Sequence, residues 1–260
     1  MEINKYNVEK IANGTYRIDE FGMTSMYFII GSEAALAIDC GIGVSDYMRV
    51  LRSLTTRPIM LAVTAGLTRH VGGRGQFATL RISRMDFPLV KKATAKRRVL
   101  AFLAAGVAGK CELPLFDARI CKTKKEPSYM YIRTGDVIDL GSKHIRIYDT
   151  YGVTTGGLAF LSEEDKLLFA GEVYNKNTLL CAPGADTVEH YAGTLRTLID
   201  NNDWNELWPI GGKKPVTRGE LADAAACAEA ALKKKPVPFP FIGVAKSRGY
   251  RILYRTDKIR

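Results

Sequence analysis

The chain has 260 residues, 47% of them hydrophobic, enough to bury a full core as one large domain spanning residues 1–260. It lacks the run of about 18 apolar residues that a membrane-spanning helix needs, and its polar start, MEINKYNVEK, lacks the apolar segment of a secretory leader. A cytoplasmic protein with no membrane partner is therefore expected, and a net charge of +11 favours polyanions over cations at long range.

Much of that charge sits in short runs: Lys91, Lys92, Lys96, Arg97 and Arg98, then Lys122, Lys124 and Lys125, then Lys233–Lys235. Without interleaved aromatics these read as solvated faces rather than a nucleic-acid groove. The five cysteines (Cys40, Cys111, Cys121, Cys181 and Cys227) are scattered and form no CxxC pair. Reduced, mostly buried thiols are expected, not a disulfide framework or a cysteine zinc site.

In chain order, Thr15–Ile18 follows an Asn13-Gly14 turn, and the apolar runs Met26–Ile30 and Leu36–Ile38 flank Gly31-Ser32-Glu33. Their spacing predicts an antiparallel meander. Asp46–Leu54 has helical periodicity with Ser45 as its N-cap, and Met60–Thr64 reads as a buried strand. A helical insert is expected over about 86–110, with Leu100, Phe102, Leu103 and Val107 as its apolar face. Short strands follow at Tyr129–Arg133, Asp136–Leu140, His144–Tyr148, Leu158–Leu161 and Lys166–Phe169. A helix from Thr187 to about Asn201 and a strand at Leu207–Ile210 come next. Thr217 and Glu220 form a capping box for an alanine-rich helix to about Leu232, and Pro236–Pro240 is extended. Two β-rich halves, each closed by helices, predict a four-layer αββα sandwich of the α/β (α+β) class, with two mostly antiparallel or mixed sheets inside.

The segments Gly14–Ile18, Ala34–Gly43 (AALAIDCGIG), Leu61–Gly73, Leu167–Glu172 (LLFAGE) and Trp208–Val216 together resemble the metallo-β-lactamase superfamily, in the right order over roughly residues 8–255. The resemblance implies that fold and a zinc site built on an HxHxDH signature with ligands on later loops. Such a site holds one or two zinc ions and lowers the pKa of bound water to about 7. Here the signature reads TAGLTRH. Ala65 and Leu67 replace histidines, Arg69 replaces the aspartate, and His70 alone survives. Val153 in TYGVT and Gly211 stand at further histidine positions, and Glu172 replaces the bridging aspartate. Two potential ligands beside a guanidinium make no tight zinc site, so no cofactor and no metal-dependent hydrolysis are expected.

The losses fall on the ligand positions, while the framework is retained. That pattern suggests a repurposed pocket, either by deliberate redesign or in a natural non-catalytic paralogue. The mostly small or apolar replacements suggest an apolar cavity for a small organic molecule. There Glu172, made a stronger base by desolvation, and His70 would be candidates for metal-free acid–base or hydrolytic chemistry; alternatively both are satisfied by hydrogen bonds, Arg69 included. Tyr151, Tyr174 and Cys181 are further candidates for the pocket wall. A Cys181–histidine dyad or a lysine at Lys213 or Lys214 are weaker options, and His144 and His190 read as surface residues.

Overall fold

The computed structural model describes residues 2–3, 6–107, 125–182, 184–236 and 239–260. Its first sheet has eight strands in sequence order: β1 (Glu2–Ile3), β2 (Tyr6–Ala12), β3 (Thr15–Glu20), β4 (Thr24–Ile30), β5 (Ala35–Ile38), β6 (Ile59–Ala62), β7 (Thr79–Ile82) and β8 (Ser128–Tyr131). The first five form an antiparallel meander, as the turn spacing predicts. From β5 to β8 the pairing is parallel. Parallel neighbours need crossovers, and α1 (Tyr47–Leu54) lies between β5 and β6.

The second sheet runs β14-β12-β11-β10-β9, from β9 (Val137–Asp139), β10 (His144–Asp149), β11 (Leu158–Ser162), β12 (Leu167–Gly171) and β14 (Glu206–Pro209). It is antiparallel except where β12 meets β14. A third sheet, β13-β16-β15, joins β13 (Asn177–Leu180) to a hairpin of β15 (Ile242–Ser247) and β16 (Tyr250–Arg255).

Three apolar clusters define the layers. Tyr27, Ile29 and Ile38 of the first sheet meet Ile147, Phe160 and Phe169 of the second in the central cluster. On the outer side of the first sheet, Tyr47, Val50 and Leu51 of α1 pack with Phe28, Ala37 and Leu61. Outside the second sheet, α5 (Val188–Asp200) and α6 (Arg218–Leu232) pack with Leu168, Ala170 and the inner side of the third sheet. The order is α, β, β, α, the expected sandwich. Each side chain fully buried in it contributes roughly 1.5–3 kcal/mol. No helix among the described residues is long and apolar enough to cross a membrane.

Several expectations are corrected. The N-cap of α1 is Asp46, whose carboxylate accepts from the Arg49 N–H. Ser45 instead donates its hydroxyl to the buried Tyr6 hydroxyl. The insert is two helices, α3 (Phe87–Val90) and α4 (Ala95–Val107), and residues 108–110 of the expected span lie outside the described residues. Of its expected apolar face Phe102 is buried, while Leu100 and Leu103 are exposed. Cys40 and Cys227 are buried and Cys181 half-buried, all three as free thiols. Cys111, Cys121, Lys122 and Lys124 lie outside the described residues.

The capping box is present in full: Thr217 accepts from the Glu220 N–H, and the Glu220 carboxylate accepts from the Thr217 N–H. Both groups satisfy backbone donors that would otherwise lack partners at the start of α6. Thr217→Ala should lower stability by about 1 kcal/mol in urea denaturation with no change in activity or ligand binding.

Candidate functional site

The signature segment runs from the end of β6 into the one-turn helix α2 (Thr68–Val71). Its His70 is fully buried, and both ring nitrogens face carboxylates: Nδ1 lies 3.0 Å from Asp39 Oδ2, and Nε2 lies 2.9 Å from Glu172 Oε1. Asp39 sits just past β5 with φ of 64°, a left-handed conformation that aspartate tolerates better than most residues. Its carboxylate also accepts from Thr64, at 2.8 Å from both the N–H and the hydroxyl. The Thr64 hydroxyl lies 2.8 Å from His70 Nδ1 as well.

Glu172 follows the end of β12. Gly171 precedes it at φ +54°, and a Cβ there would come within 2.5 Å of the Thr64 hydroxyl oxygen. Only glycine lets the second sheet approach the signature segment this closely. Glu172 is then held by two cations. It accepts from Arg69 in a fork-like contact to both carboxylate oxygens, and from His70. The result is an alternating chain, Arg69–Glu172–His70–Asp39, that ties α2 to β12 on one side and β5 on the other.

Burial works against charge on His70, but the Asp39 charge and hydrogen bond, followed by Glu172, outweigh it and raise the pKa from 6.5 to about 9. At neutral pH the ring therefore carries both protons, one for each carboxylate. For Glu172, burial pulls the pKa up; the Arg69 charge and the His70 hydrogen bond overcome it, and the carboxyl lies below its ordinary value. The expectation of a carboxylate made more basic by desolvation is corrected, because Glu172 lies between two cationic side chains rather than in apolar surroundings.

Around this chain two further carboxylates hold the loops. Asp86 is buried and accepts from Gly66 N–H at 2.7 Å and Gly156 N–H at 2.9 Å, joining the signature segment to the loop after β10. Burial raises the Asp86 pKa against these hydrogen bonds. Glu20 is buried at the end of β3 and accepts from Ile42 N–H at 2.6 Å, fixing the turn that packs on α2. Burial pushes its pKa up to about 7 against the backbone donors. Neither Asp39, Asp86 nor Glu20 is singled out by the signature. Asp39 is visible only as the acid in AIDCG, and Asp86 only as the residue opening the insert.

The other sequence candidates are dispersed. Ala65 is buried and Leu67 half-buried beside the chain just described. Val153 packs against the cluster between the second sheet and α5 and α6. Tyr151 is exposed; its hydroxyl donates to Asp149, and its ring lies 6.0 Å from that of His190. Tyr174 is buried with its hydroxyl 2.7 Å from that of Tyr250. Gly211 lies in an exposed turn at φ +69°, and Lys213 and Lys214 are exposed. His144 is half-buried and His190 exposed, and they are paired with Glu164 and Asp186.

The donor set does not fit a zinc ion. The ligand positions hold a methyl, two branched aliphatic side chains and a glycine, Arg69 occupies Glu172, and both nitrogens of His70 already face carboxylates. Among the described residues there is no group of three or more His, Cys, Asp or Glu side chains placed to hold a metal.

No protein-family profile matches the chain. Among solved structures, a metallo-beta-lactamase from Pontibacter korlensis has a TM-score of 0.61 at 17% identity, covering 86% of this chain and 99% of that one. The DIM-1 metallo-beta-lactamase exposed to ceftazidime has a TM-score of 0.63 at 12% identity, covering 87% and 97%. The chain has the metallo-β-lactamase fold. A metallo-beta-lactamase family protein from Thermus thermophilus covers 95% of this metallo-β-lactamase-fold chain, with a TM-score of 0.60 at 15% identity and 100% of its own chain covered. Among curated sequences, the acyl-coenzyme A thioesterase MBLAC2 of Bos taurus and that of Homo sapiens are each 22% identical over 188 residues, 68% of this chain and 67% of theirs.

The pH dependence of stability follows from His70. A folded pKa raised from 6.5 to about 9 gives stability that is fully present below pH 6.5 and is lost as pH rises through about 9. One of the three imidazoles should titrate near 9 by NMR, and urea stability should fall between pH 7 and 9. A His70 ring titrating near its ordinary value would remove this account.

Proposed function

We propose that this metallo-β-lactamase-fold chain acts without zinc, as a non-catalytic binder of an acidic, acyl-bearing small molecule. The observation that carries the reading is the closed ion chain at the ligand positions. Hydrolysis in this fold needs a hydroxide held on a metal, or failing that a base with a free lone pair. At neutral pH both nitrogens of His70 donate to carboxylates, and Glu172 is engaged by two cations. Metal-free proton abstraction would first have to break one of these pairs, at a cost of about 3–5 kcal/mol where a buried partner is left alone.

The ligand class rests on two supports. The curated relatives carry the name acyl-coenzyme A thioesterase, which points to acyl thioesters of a phosphorylated carrier. The net charge of +11 favours such an anion at long range. Deliberate redesign and natural divergence would both leave this arrangement, since each retains the framework and replaces only the ligand positions.

Two measurements test the reading. After incubation with zinc and dialysis, metal analysis should find zinc far below one equivalent. Titration calorimetry with a long-chain acyl-coenzyme A should show saturable binding, with no thioester hydrolysis in the presence or absence of zinc. Stoichiometric zinc, or zinc-dependent hydrolysis, would overturn it. Turnover that survives a chelator and disappears in Glu172→Gln would instead establish metal-free catalysis.

A further inference from the structure

Five of the twelve large hydrophobic side chains that are exposed among the described residues lie on or beside the small third sheet, so the exposure is concentrated rather than scattered. The inner side of that sheet is accounted for: Leu180, Ala245, Ile252 and Tyr254 pack into the cluster with α5 and α6. Its outer side is uncovered. Register places Leu179, Leu253 and Val244 in one row across the three strands, with Leu179 and Val244 exposed and Leu253 half-buried. Ile242 continues the apolar surface at one end; Phe239 and Phe241 are exposed beside that end, with Phe241, adjacent to Ile242 in the chain, out of phase with the row. Thr256 holds this end in place, its hydroxyl donating to the carbonyls of both phenylalanines.

The next row on the same face is Asn177, Arg251 and Lys246, all exposed. Strand alternation puts Arg255 on this face too, paired with Asp257. None of the outward strand positions is acidic. Neither Lys246 nor Arg251 has a carboxylate partner among the described residues. Lys233–Lys235 are exposed just after α6, and Lys235 is four residues before Phe239, a chain distance of at most about 14 Å.

We propose that this face docks the protein on an anionic lipid surface, with Leu179, Ile242 and Val244 entering the headgroup boundary and Lys246 and Arg251 facing the lipid phosphates and carboxylates. An apolar surface rimmed by unpaired basic groups is the composition that binds such interfaces. Buried apolar area and attraction of about 1 kcal/mol per basic residue act together there. A second copy of the chain is a poorer occupant. A symmetric contact would set Lys246 and Arg251 against their own copies, and like charges across an interface are costly. The expectation of no membrane partner rests on the lack of a spanning helix. A peripheral face that joins β13 to a hairpin more than 60 residues later in sequence leaves no such run to find.

The test is sedimentation of the full chain with vesicles of phosphatidylcholine alone and of phosphatidylcholine with phosphatidylserine. Partitioning is expected only onto the serine-containing vesicles and should weaken as salt rises. I242S/V244S and K246E/R251E should each reduce it at least about tenfold. Their melting temperatures should stay unchanged, because these side chains project from the surface. Failure to sediment with the anionic vesicles, or equal partitioning of wild type and both variants, would overturn the proposal. So would a lipid-free, concentration-dependent dimer lost in I242S/V244S, which would make the face a self-association surface.

Discussion

The buried imidazolium of His70, clamped between Asp39 and Glu172, is the contact on which the centre of the molecule depends. It joins the two sheets at the point where their loops converge: Asp39 belongs to the end of β5, Glu172 to the end of β12, and His70 to the helix between them. Alone, any of these charges would be costly to bury. Together with Arg69 they alternate in sign and sum to zero, so desolvation is offset by close, hydrogen-bonded pairing. Arg69 is the partly exposed member, its side chain 43% accessible, and it closes the chain toward water.

This arrangement has an electrostatic parallel with the zinc centres that the fold elsewhere supports. A divalent cation supplies two positive charges to converging carboxylates and imidazoles, and so cross-links loops from both sheets. Here the guanidinium of Arg69 and the imidazolium of His70 supply two positive charges to Glu172 and Asp39. On the zinc-free proposal the cross-link survives, while the Lewis acid and the open coordination position do not. Asp86 extends the same solution to the loop after β10, where a carboxylate accepting two backbone N–H groups does the holding. Gly66 and Gly156 permit it: a Cβ at either would come within 2.6 Å of the Asp86 backbone.

What could be read in advance followed how local each signal was. The meander, the strands of the second sheet and the capping box of α6 were legible because turn residues, apolar alternation and a Thr-x-x-Glu spacing act over a few residues. His70, Glu172 and Arg69 were legible because they stand in two recognisable segments. Asp39 was not, since its role depends on His70, 31 positions later, folding back against β5. The β15–β16 hairpin was missed although Arg248-Gly249 marks its turn. Its strands alternate buried residues with an outward set that is itself partly apolar, which blurs the period-two pattern. In α4 the helix was legible but its apolar face was misassigned, since Leu100 and Leu103 face solvent and Phe102 faces the core.

An ion chain in place of a metal would also change what the centre responds to. A zinc cross-link is lost when its ligands are protonated, so acid weakens it. In this chain the two ends of the pH scale act on different members. Acid removes the charge of Glu172, whose carboxyl lies below its ordinary value, so its contribution fails only as pH falls through that lowered pKa. Base removes the proton of His70 near pH 9 and leaves Asp39 and Glu172 as two buried carboxylates with Arg69, beyond Glu172, as the remaining cation of the chain. Because Glu172 keeps Arg69 while Asp39 keeps only Thr64, the alkaline failure should begin at Asp39, loosening β5 from α2 before the Arg69–Glu172 pair gives way. Stability at the centre is thus tied to a single imidazole proton, where the related centres tie it to an ion.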